Sequence, residues 1–179
     1  MPKQRILPHI ILGIMVASDS DITGKQVTDY VQREISEFWQ VAHSQVYPEL
    51  KRMVADGWLT CYPVPGNDKE KRYSLTDAGR AELEDWLAIP HRETPLQKDI
   101  FSLKMFFIQS KQDDRIPILL EGQIDLLKKH LRHLESRKEE LFPSKEKVQA
   151  NYGHYLILNR AIVRNRAQLN WLEETLADY

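Results

Sequence analysis

The chain has 179 residues, with 25 Lys and Arg against 26 Asp and Glu and a single cysteine, Cys61. That length suits one compact domain or a small domain with an extension. The lone cysteine excludes an internal disulfide and points to a reducing, cytoplasmic setting. Net charge is −3 over residues 1–90 and +2 over residues 91–179, so a nucleic-acid contact has to rest on where the cations sit.

The longest apolar run, ILPHIILGIMVA, is broken by Pro8 and His9 and is too short to span a bilayer. It reads as a buried helix starting near Pro8, a residue suited to a first turn. TGKQVTDYVQREI reads as a second helix. Thr23 and Gln26 have capping-box spacing, and Val27, Tyr30, Val31 and Ile35 make one apolar face.

HSQVYPELKRMVADGWLT repeats Val46, Leu50, Met53 and Val54 at helical spacing, with Pro48 among them. Proline inside a helix costs about 3 kcal/mol. A start at Ser44 or Gln45 puts Pro48 in the first turn, where backbone N–H groups lack intrahelical partners. Gly57 then ends the helix.

WLTCYPV and KEKRYSLT flank a Pro-Gly-Asn-Asp turn, which predicts a β-hairpin with Lys69, Lys71 and Arg72 on its returning strand. Cys61 alternates with Leu59 and is expected to be buried. Thr76 caps a fourth helix carrying Leu83, Trp86 and Leu87 inward. AIPHRETP reads as a linker between domains at 1–90 and 91–179.

After LQKDIFSLKMFF there is almost no strand signal, and a new pattern starts at Pro117. Leu120, Ile124, Leu127, Leu131, Leu134 and Leu141 form a heptad seam with Lys138 in one slot. After LFPSKE, a second seam holds Tyr155, Leu158, Ile162, Asn165, Leu169, Leu172 and Leu176. The pattern predicts an antiparallel helical hairpin whose apolar face buries itself against a second copy. Asn165 either fixes register in that seam or lies just off it. The pattern assigns dimerisation to Leu120, Ile124, Leu127, Leu131, Leu134, Ile162, Leu169, Leu172 and Leu176.

Three helices, a hairpin and a fourth helix make a mainly α chain with an N-terminal winged helix-turn-helix and a two-stranded wing. In that architecture the third helix enters the DNA major groove. Its exposed face then carries Ser44, Gln45, Lys51 and Arg52, with Tyr47 near the buried edge. Glutamine suits adenine edges, and Lys and Arg suit guanine or phosphate. Lys69, Lys71 and Arg72 would track the backbone alongside. Glu49, Asp68 and Glu70 count against this face. His130 and His133 are two ligands where a metal needs three or four, so no metal or other cofactor is expected. Trp39 beside Phe38, and Phe101, Met105 and Phe106, suit core or interface better than an effector pocket. No glycine-rich phosphate loop, zincin or serine-elbow motif is present, so the chain does not read as an enzyme.

QVYPELKRMVADGWLT resembles the recognition-helix signature of the PadR transcriptional regulators. KRYSLTDAGRAELEDWL matches that family's wing-to-helix segment at Tyr73, Thr76, Gly79, Leu83 and Trp86, and DIFSLKMFF resembles the segment that follows. The two-helix C-terminal region is similar to the virulence-activator-type subfamily. The resemblance implies a homodimer on an inverted repeat, most often a repressor, with some members binding small planar or phenolic ligands. Half-sites one or two helical turns apart, roughly 34 Å each, would suit such a dimer. The usual Gly-Tyr opening of the second helix is replaced by Gly24-Lys25, making Lys25 either an extra phosphate contact or a solvated side chain. Two rival readings remain at this level: a helical adaptor, and a small-aromatic-ligand sensor on the same scaffold.

Overall fold

The computed structural model describes residues 5–36, 38–90 and 98–179, with the side chains of Asp68 and Lys69 outside the description. The linker reading over AIPHRETP falls largely outside the described residues. The chain divides into two compact units, Met1–Thr94 and Pro95–Tyr179.

The first unit is built round α1 (Leu7–Ser18). Pro8 occupies its first turn, and Asp19 ends it in the left-handed region. Ile11, Leu12, Ile14 and Met15 are all buried, so this helix has little polar face and forms the centre of the core. Val27, Val31, Val46, Leu50, Met53, Leu59, Tyr73 and Leu83 close over it from the other elements. Truncating a side chain as enclosed as Leu50 to alanine would cost about 2–5 kcal/mol.

Helix α2 (Gly24–Tyr30) starts with the expected reciprocal cap. Gln26 N–H donates to Thr23 Oγ1 at 3.2 Å, and Thr23 N–H donates to Gln26 Oε1 at 2.8 Å. The helix runs on through a π turn at Val31–Ile35.

Helix α3 (His43–Ala55) begins earlier than the sequence suggested, with Ala42 as its cap residue. Alanine offers no side-chain acceptor, and Gln45 takes over part of that role. Its Oε1 accepts the Ala42 N–H at 3.2 Å, while its own N–H donates to the Ala42 carbonyl at 2.9 Å. Pro48 is therefore in the second turn and not the first. It removes the donor that would have met the Ser44 carbonyl, and exposure at Ser44 lets water serve that acceptor.

Strands β1 (Ile22–Thr23), β2 (Leu59–Val64) and β3 (Asn67–Leu75) form an antiparallel sheet in the order β1-β3-β2. The β2–β3 hairpin is the wing. Its turn is tighter than Pro-Gly-Asn-Asp implied: Val64 already pairs with Asn67, and Gly66 takes φ +80°. Leu59 is buried as expected, but Cys61 is exposed, because the wing leaves the body between these two positions. Helix α4 (Asp77–Ala88) is capped by Thr76, which accepts the Gly79 N–H at 3.0 Å. Leu87 is 67% exposed, contrary to expectation. Trp86 fills the inward place of that turn by stacking on His9 at 4.7 Å, and Leu87 lies 100° further round.

The second unit contains α5 (Ile100–Phe106), α6 (Arg115–Leu141), α7 (Lys145–Ala150) and α8 (Tyr152–Ala177). Helices α6 and α8 lie antiparallel. Leu120, Ile124 and Leu127 pack with Leu169, Leu172 and Leu176 at one end, and Leu131 and Leu134 with Leu158 and Ile162 at the other. This corrects the assignment of those leucines to an intermolecular seam. Two antiparallel neighbours joined through a short connection bury their apolar rows against each other first. Asn165 is buried within this intrachain seam, its Nδ2 donating to the Ala161 carbonyl at 2.7 Å. Lys138, in its polar slot, donates to Asn159 at 3.0 Å and lies over the Tyr155 ring. No helix among the described residues is long and apolar enough to cross a membrane.

Candidate nucleic-acid interface

The start of α2, the outer face of α3 and the wing enclose an open cleft of about 550 Å³. Lys25, Lys51 and Lys71 converge on it with Tyr47, Tyr73 and Glu70. Three of the predicted cations and the predicted tyrosine thus come together from three separate segments. Tyr47 is held by its neighbours: its ring lies against Gly24 and 5.7 Å from His43, with its outer part exposed. Lys25 donates to Asp29 at 2.8 Å, which raises the Lys25 pKa and lowers that of Asp29. Burial pushes the Tyr73 phenol up, as expected for a ring rooted in the core.

The pleat separates the other wing cation. Cys61 pairs with Tyr73 and Tyr62 with Arg72, so alternate residues face opposite sides of the ribbon. Lys71 and Tyr73 line the cleft, while Arg72 faces the other side with Tyr62 and Ser74. The Lys69 side chain lies outside the described residues.

Arg52 is exposed on α3 and sits 3.5 Å from Glu49. Glu49 itself is buried, and its main partner is Arg5, which also reaches Asp56 at 3.2 Å. Of the acids that counted against this face, Glu49 therefore points into the body, neutralised from behind, whereas Glu70 lines the cleft. Ser44 is exposed at the helix start. Gln45 lines a shallow groove with Val31, Gln40 and Ala42, on the side of α3 away from the lysines.

One element escaped sequence reading. Asp21, in the turn before β1, accepts from Ser74 Oγ at 2.6 Å through one oxygen and from the Tyr62 hydroxyl through the other. These bonds hold its carboxyl below the usual range and push the Tyr62 phenol up. They join residues 53 and 41 positions apart, so no local spacing announces them. Among the described residues, no group of three or more His, Cys, Asp or Glu is placed to hold a metal ion.

Residues 11–85 match the Transcriptional regulator PadR-like family, and residues 97–179 match the Virulence activator alpha C-term. The Negative transcriptional regulator PadR of Bacillus subtilis is 36% identical over 179 residues, 97% of either chain. The crystal structure of Bacillus subtilis PadR in complex with operator DNA superposes with a TM-score of 0.82 at 33% identity, covering 98% of this chain and 99% of that one. Its complex with p-coumaric acid gives 0.83 at 34% identity, covering 97% and 98%. The Vibrio cholerae virulence activator AphA gives 0.71 at 28% identity, covering 96% of each chain. With this identity sustained along nearly its whole length, the chain belongs to the PadR-like family of transcriptional regulators, whose members are not enzymes.

Proposed function

We propose that this protein is a cytoplasmic, homodimeric repressor that binds an inverted-repeat operator in double-stranded DNA and answers to a small aromatic effector. The observation that carries the reading is the convergence of Lys25, Lys51 and Lys71 on one cleft beside the exposed face of α3. A convex helix edged by a cationic wing suits a groove flanked by phosphates. The complexes of Bacillus subtilis PadR with operator DNA and with p-coumaric acid support the DNA partner and the effector class. In this reading residues 1–90 bind DNA and residues 91–179 bring two copies together. Ser44, Arg52 and Lys71 contact the duplex with Lys25, Tyr47 and Lys51. Lys69 and Arg72 serve the flanking backbone.

The dimer contact in this proposal uses apolar side chains that the hairpin leaves outside. On α8, Leu156, Val163 and Trp171 are exposed on one stripe, and on α5 Phe106 is 80% exposed. Apolar surface of that extent marks an interaction site.

The deciding experiment measures anisotropy of a labelled duplex selected by the wild-type protein from a random-sequence library. Lys51→Ala is expected to weaken binding by about 1–3 kcal/mol and to lower the salt slope by about one. Unchanged affinity in Lys51→Ala and Lys71→Ala together would remove the cleft from the DNA interface.

A further inference from the structure

The wing is a two-stranded ribbon, and such ribbons twist and bend readily when nothing else supports them. Its root is fixed by the buried Tyr73 and by the two β1 pairs, Ile22 with Tyr73 and Thr23 with Arg72. Lys71 lies one residue beyond that support, on the cleft side. On the opposite face, Asp21 bonds Ser74 on β3 with one oxygen, and Tyr62 on β2 reaches across the central strand to the other. Tyr62 stands opposite Arg72, the outermost residue that β1 reaches. One carboxylate thus ties both wing strands to the body at the limit of the sheet's support.

We propose that Asp21 is a positioning residue for DNA binding, fixing the wing against α3 through Ser74 and Tyr62 so that Lys71 is held at the cleft. The proposal rests on the DNA reading of that cleft. It also runs against simple charge logic. Asp21 is an anion near a surface meant for phosphates, so removing it should tighten DNA binding if its charge were all that mattered. A positioning role predicts the reverse.

The experiment is a double-mutant cycle in the full-length protein, read by anisotropy on the library-selected duplex over a range of salt. Asp21→Ala should weaken binding about fivefold and flatten the salt dependence by about one ion, as Lys71→Ala is also expected to do. The losses of D21A and K71A should sum to more than the loss of the double variant D21A/K71A, whereas D21A and K51A should add, because Lys51 is carried by α3 and not by the wing. The pair Y62F/S74A keeps the carboxylate but removes both hydrogen bonds. It should reproduce D21A, and it carries the test if D21A does not fold. Unchanged or tighter binding in both D21A and Y62F/S74A overturns the proposal, and so does full additivity of D21A with K71A. If K51A and K71A themselves leave affinity unchanged, the DNA reading of the cleft fails and the proposal falls with it.

Discussion

Tyr47 packs so closely on Gly24 that a Cβ added to the glycine would come within 2.5 Å of the ring carbon Cε1. The first residue of α2 and the second turn of α3 are thereby fitted to each other, and the fit places a phenol at the mouth of the basic cleft. Gly24→Ala forces the ring aside. Because that ring is partly exposed it can move, and Gly24 is the first residue of α2, where the interior penalty for glycine does not apply, so the exchange changes helix stability little. The expected outcome is a thermal midpoint near wild type with several-fold weaker binding to the selected duplex. Calorimetry and anisotropy on the same sample check both halves, and undiminished affinity would show that Tyr47 has no part in the contact.

The buried Glu49 depends on Arg5. Arg5→Ala leaves a carboxylate inside the body with Arg52 as its remaining partner, at 3.5 Å. Arg5 is half exposed, so solvent moderates the effect, and the expected loss is about 1–2 kcal/mol in urea unfolding. Glu49→Gln in the same background should recover part of it by removing the stranded charge. A double variant no more stable than R5A would mean that the Arg5–Glu49 pair does little to hold α3 in place.

The leucine seam makes a prediction opposite to that of an intermolecular zipper. Leu127→Glu with Leu131→Glu puts two charges into apolar clusters enclosed by α6 and α8 of one chain. The helical signal of the second unit should collapse by circular dichroism. By contrast Val163→Glu with Trp171→Glu, on the outer stripe, should keep the helicity and shift sedimentation to the monomer. A folded dimer after the first change, or an intact one after the second, contradicts this division of the surface.

Asp113 sits at the start of α6. Arg115 holds it from two sides, its guanidinium bonding both carboxylate oxygens and its backbone N–H donating at 3.0 Å. The Arg115 side chain is the larger cause, and together they lower the Asp113 pKa from 3.8 to about 2. A depressed folded-state pKa stabilises the fold above the unfolded value. That contribution is lost as pH falls from about 4 towards 2. NMR titration of the Asp113 carboxyl should give a midpoint near the lower figure, and Arg115→Ala should return it towards 3.8. An ordinary midpoint in the wild-type protein would show that the pair does not persist in solution.

Much of the architecture follows from local chemistry. Caps at Thr23 and Thr76, the stop at Gly57, the turn at Gly66 and the two heptad rows specify helices and hairpin wherever the chain is placed. These signals act over a few residues, so spacing is enough to read them. The same holds for the cationic character of α3 and the wing.

Tertiary packing decided what the rows and charges are for. A heptad row states that a face must be buried but not what buries it, and here α8 of the same chain does so, which leaves Asn165 inside. The pleat of the wing divided Lys71 from Arg72, adjacent in sequence and opposite in space. Glu49 became internal because Arg5, 44 residues away, came to meet it. Asp21 gained its two donors only when both wing strands folded past it. Pairings at such separations depend on how elements dock, and docking is set by the sum of the core contacts, not by any short stretch of sequence.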